Sequence, residues 1–77
     1  MTTALADALF VHLQKELDGA RPGDRWVMDA AWRDEVRELE GHCGDALLIP
    51  SRDGREFLFG YPVEVRAGGG VPHLEPS

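Results

Sequence analysis

Asp34 and Glu38 stand four residues apart, the spacing that sets two carboxylates on one face of a helix. Two such groups can share acid and base work in glycoside hydrolysis. That chemistry also needs a concave pocket and one carboxyl whose pKa is raised. An exposed helical face in so short a chain offers neither. His42 and Cys43 are the next reactive types to adjoin. A thiol activated by imidazole requires the two side chains to meet in space, whereas sequence neighbours usually diverge. With no third orienting group in view, Cys43 reads as an ordinary loop thiol. Ser51 and Ser77 lie in no nucleophile-elbow pattern.

His12, His42 and His73 are far apart, and there is no H-E-x-x-H pattern and no second cysteine. Asp45 and Asp53 lack the ligand rhythm of a calcium loop, so no metal is expected. Gly68, Gly69 and Gly70 follow a predicted strand, but no helix and no Lys-Ser or Lys-Thr pair closes the run. It reads as a linker rather than a phosphate cradle. The expectation is a protein that is not an enzyme, with no catalytic residue and no cofactor.

What remains is charge. Asp34, Glu35, Glu38, Glu40 and Asp45 face only Arg37 in their stretch, five acids against one base and a local sum of −4. The whole chain of 77 residues carries a formal net charge of −6. Such a field repels phosphate and attracts basic protein surfaces. Asp and Glu total 14 against 8 Lys and Arg, and the bases are scattered between Lys15 and Arg66. Binding to nucleic acid draws on clustered cations that release counterions, so no direct nucleic-acid ligand is expected.

The elements that must position these groups follow from periodicity. Leu5, Leu9, Leu13 and Leu17 recur every four residues and predict a helix over residues 3–18, capped by Thr2 or Thr3 and ended by a left-handed Gly19. Residues 25–28 read as a strand, and Asp29 as the N-cap of a helix over residues 30–40 that stops at Gly41. Trp32, Val36 and Leu39 form its buried side. Strands follow at residues 46–49, 55–59 and 63–66, the first two joined by an Asp-Gly turn and expected at the centre of the sheet. A break or bulge is expected at Gly60, Tyr61 and Pro62. The fold class is therefore α+β: two helices on a small, mainly antiparallel sheet of three or four strands, in the order α-β-α-β-β-β. Residues 1–67 make one domain, and residues 68–77 a flexible Gly/Pro tail.

A hydrophobic content of 43% and a charged content of 29% fit a globular chain. One cysteine points to a reducing compartment, and no apolar run approaches the roughly 18 residues of a bilayer span. The expectation is a cytoplasmic protein without a membrane partner, monomeric or weakly homodimeric. Residues 63–65 are read as an exposed edge open to self-pairing and blunted by Pro62, Glu64 and Arg66.

Residues 25–65 resemble part of the major capsid protein fold of tailed phages. In that family a strand ending in W-V-M leads through a small polar turn into a helix, and a last strand carries G-Y-P-V. Trp26, Val27, Met28 and Asp29 match the first pattern, residues 32–38 run through the helix, and Phe59, Gly60, Tyr61, Pro62 and Val63 match the last. The family's long helix and extended arm are missing, and it contributes no catalytic residue. The resemblance implies a phage or mobile-element origin. In size and acidity the chain is also similar to anti-CRISPR and DNA-mimic proteins. The expected function is a non-enzymatic acidic inhibitor that occupies a basic, nucleic-acid-binding surface of a host protein in the host cytoplasm. Asp34, Glu35, Glu38, Glu40 and Asp45 would be its contacts, because carboxylates on one helix stand about 6 Å apart, near the phosphate spacing of a nucleic-acid backbone. The alternative is a small virion component, capsid-associated or a connector, that docks through the hairpin, Tyr61 and the tail.

Overall fold

The computed structural model describes residues 2–76; Met1 and Ser77 lie outside the described residues. Helix α1 (Thr3–Asp18) begins where the Thr2 hydroxyl accepts the Leu5 N–H at 3.1 Å, satisfying one of the donors a helix start leaves over. Its leucine row turns Ala6, Leu9 and Leu13 inward. Gly19 closes the helix with φ −99°, outside the left-handed region expected for it. Its N–H instead reaches back to the Glu16 carbonyl at 3.2 Å, a tight final turn that needs no positive φ.

Strand β1 (Arg25–Met28) falls where the sequence places it, with Trp26, Val27 and Met28 fully buried. Asp29 holds the N-cap position of α2 (Ala30–Cys43), but its side chain makes no capping bond. Its backbone N–H donates to the Gly70 carbonyl at 3.0 Å. The helix runs through Gly41, the expected stop, and ends at Gly44, whose φ of 75° gives the left-handed cap. A helical glycine costs only about 0.5–1 kcal/mol, which the extra turn of backbone bonds offsets.

Four more strands complete the sheet: β2 (Leu48–Pro50), β3 (Glu56–Leu58), β4 (Tyr61–Val65) and β5 (His73–Glu75). Their order is β2-β3-β4-β1-β5, with β1 parallel to β4 and the other pairs antiparallel. The fold is α+β as expected, but the sheet has five strands and is mixed. The β2–β3 hairpin lies at an edge rather than at the centre, and β4 is interior rather than an exposed edge. Val63, Glu64 and Val65 pair with β1 on one side, and β3 pairs with β4 at Tyr61 and Pro62 on the other. No bulge separates β3 from β4. Phe59 (φ 51°) and Gly60 (φ 87°) make a two-residue turn of the primed kind that suits strand twist. Phenylalanine is an unusual occupant of that position, and its ring is held edge-on by Phe10 with centroids 6.5 Å apart.

The expected flexible tail is instead folded onto the sheet. A Cβ on Gly69 would lie 2.9 Å from the Arg66 carbonyl oxygen and 3.1 Å from the Met28 carbonyl carbon, so only glycine fits this crossing. Pro72 is buried, its carbonyl accepts from His12 Nε2 at 2.6 Å, and β5 pairs with β1. Both helices cover one sheet face. Ala6, Leu9, Leu13, Val36 and Leu39 meet Trp26, Met28, Leu48 and Leu58 in one core. The indole N–H of Trp26 donates to the Leu58 carbonyl at 2.9 Å, so its burial leaves no orphaned donor.

Candidate protein-interaction surface

The outward side of α2 follows from its inward one. Val36 and Leu39 are fixed in the core, and at 3.6 residues per turn Asp34 and Glu38 point the opposite way. Both are exposed, Asp34 with 76% of its side chain in solvent. Glu35 is half-buried on the flank toward α1, where it lines a shallow depression with Leu5, Ala31 and Trp32. Asp45 is exposed just beyond the Gly44 cap.

Glu40 is placed differently. Its Oε2 accepts the backbone N–H groups of Leu47 and Leu48 at 2.7 and 3.0 Å, and only 18% of its side chain is exposed. Leu48 is the first residue of β2 and Leu47 the one before it, so the carboxylate holds the start of the strand. The contact also explains why the strand starts at Leu48 rather than at residue 46. Glu40 is therefore engaged with the start of β2 and leaves the outward set.

The arginines of α2 turn to the side of β3. Arg33 reaches Glu56 Oε1 with Nε and Nη2, both at 2.8 Å, and Arg37 reaches Glu56 Oε2 with Nη2 at 2.6 Å. One carboxylate thus engages two guanidiniums, with charge-assisted bonds to both oxygens. Looser ion pairs, beyond hydrogen-bond length, join Arg33 to Asp34 and Arg37 to Glu40, each at 3.9 Å. Glu56 had no signal in the sequence, because its role depends on β3 lying beside α2.

The opposite sheet face is nearly self-neutralised. Val27 pairs with Glu64 and His73, and Arg25 with Glu75, so these side chains share one surface. Arg66 meets Glu64 at 2.5 Å and Glu75 at 3.4 Å, Arg25 lies 3.6 Å from Glu64, and His73 lies 2.8 Å from Glu75. The Glu64 hydrogen bond holds the Arg66 pKa above its ordinary value. His73 is raised because Nδ1 faces the Val71 carbonyl and Nε2 the Glu75 carboxylate, two acceptors that favour a doubly protonated ring. Glu75 is correspondingly lowered by His73 and Arg66. Asp53 is lowered by the Ser51 hydroxyl and the Arg55 N–H in the β2–β3 turn.

His42 and Cys43 sit on the last turn of α2, and Cys43 is an exposed free thiol. Tyr61 is half-buried against the core and the tail is part of the sheet, so neither is a free docking arm. Among the described residues no helix is long and apolar enough to cross a membrane. No protein-family model, no curated protein and no solved structure matches the chain.

Proposed function

We propose that this protein is a non-enzymatic acidic binder that sets the outward face of α2 against a basic, nucleic-acid-binding surface of another protein. The reading is of an inhibitor of phage or mobile-element kind acting by charge mimicry in the host cytoplasm. Asp34, Glu35, Glu38 and Asp45 are its contacts. The observation that carries it is the direction of Arg33 and Arg37. Both make their short contacts with Glu56, at 2.8 and 2.6 Å, and Arg33 comes only within 3.9 Å of Asp34, which stays 76% exposed. A surface of this kind steers a basic partner in quickly and is weakened by salt.

The test is capture from host lysate at low and moderate salt, followed by competition. The captured protein is expected to bind duplex DNA or RNA on its own, and the nucleic acid is expected to displace this chain from it. Capture only of proteins without a basic groove, or formation of a ternary complex with the nucleic acid, would contradict the proposal.

A further inference from the structure

Helix α1 carries a second surface, independent of the acidic face of α2. Val11 is 52% exposed, more than any other large hydrophobic residue among the described residues, and it points away from the core side that holds Ala6, Leu9 and Leu13. Phe10 and Val11 also line an open groove of about 470 Å³ between α1 and the end of α2. In the first half of the helix, Asp7 is the sole polar residue between Ala4 and Val11. A soluble helix ordinarily carries its polar residues on the face away from the core.

The charges on that face are arranged for a copy of itself. Asp7, Val11 and Lys15 follow at intervals of four, so they share one stripe along the helix, and all three are exposed. Neither Asp7 nor Lys15 has an ion-pair partner among the described residues. We propose that this stripe is a self-association surface, on which a second chain lays its own α1 antiparallel with Val11 at the two-fold axis. Each Asp7 then faces Lys15 of the other copy, twice per dimer, as an isologous contact requires.

Three features fix this register. Val11 lies near the middle of the 16-residue helix, so the pairing uses almost the whole length of both. Asp18 falls beside the first turn of the opposite helix, which has no acidic residue of its own, and a carboxylate there suits the helix dipole. Sliding one helix by a turn sets Asp7 or Lys15 against Val11 and loses the pairing. One helix face is at the small end of protein interfaces, so the dimer is weak and reversible, with a Kd on the order of micromolar or above. It leaves the outward face of α2 unused and presents it twice.

Sedimentation equilibrium of the full chain across a wide concentration range tests the proposal. The wild type is expected to dimerise. Asp7→Lys and Lys15→Asp are each expected to weaken the dimer about tenfold, because each creates two like-charge pairs. The double variant D7K/K15D should restore it, and V11E should abolish it. Lys15 is the only lysine, which allows a second readout. A carbodiimide should join Lys15 to Asp7 between copies, since within one helix they are about 12 Å apart along the axis. A monomer at every concentration, a dimer indifferent to D7K and V11E, or a dimer cross-link mapping elsewhere would overturn the proposal. Rescue by D7K/K15D decides the matter even if V11E fails to fold.

Discussion

Two glutamates that count equally toward net charge can do unlike work, and Glu40 and Asp34 are the example. Glu40 accepts two backbone N–H groups where β2 begins, those of Leu47 and Leu48. Glu16 of α1 does the same for Leu74 at the β5 edge, at 3.0 Å. The two outer strands of the sheet thus each have a helix carboxylate across them, which blunts an edge that would otherwise pair with other chains. Loss of such an acceptor strands partly buried donors. Glu40→Ala is therefore expected to destabilise the fold by about 1–3 kcal/mol. Asp34→Ala on the outward side should change stability by no more than about 0.5 kcal/mol. Urea unfolding of the two variants checks this. The sequence could not separate them, because helical spacing shows which residues share a side but not which strand edge lies alongside.

At the level of elements, local signals were legible and distant ones were not. The leucine row with Gly19 and Pro22 marks α1, and the run of Trp26, Val27 and Met28 marks β1. β5 escaped because His73, Leu74 and Glu75 stand between prolines after a glycine run, and they become a strand only where β1 offers a free side. The acidic side of α2 was legible by spacing, whereas Glu56, which draws off Arg33 and Arg37, was not. β5 also carries a pH dependence. His73 is raised above its ordinary value of 6.5 by Val71 and Glu75, with Glu16 and Arg66 also close to the pair. Its contribution to stability is full below about pH 6.5 and is lost as pH rises through the raised folded value. Glu75 is lowered from 4.5, so its contribution holds above that value and is lost as pH falls through the depressed one. Stability contributed by this pair should therefore be greatest between those two limits. Thermal unfolding across pH should show a decline on the alkaline side that His73→Gln removes. An identical decline in the variant would place its origin elsewhere.

For the molecule as a whole, net charge was written in the composition, but its direction was not. A formal charge of −6 spread evenly would make only a soluble particle. Here one sheet face balances Arg25, Arg66 and His73 against Glu64 and Glu75, and the helical side keeps Asp34 and Glu38 outward. The field is consequently lopsided, and surface charges of this type act within about 10 Å at moderate salt. The central claim is that this asymmetry is what binds the partner. Titration of the captured partner over a salt series, with the wild type and with D34A/E35A/E38A, measures it directly. The account predicts steep weakening with salt for the wild type, a flatter slope for the variant, and about tenfold weaker variant binding at low salt. Equal affinity and equal slope for the two chains would contradict it.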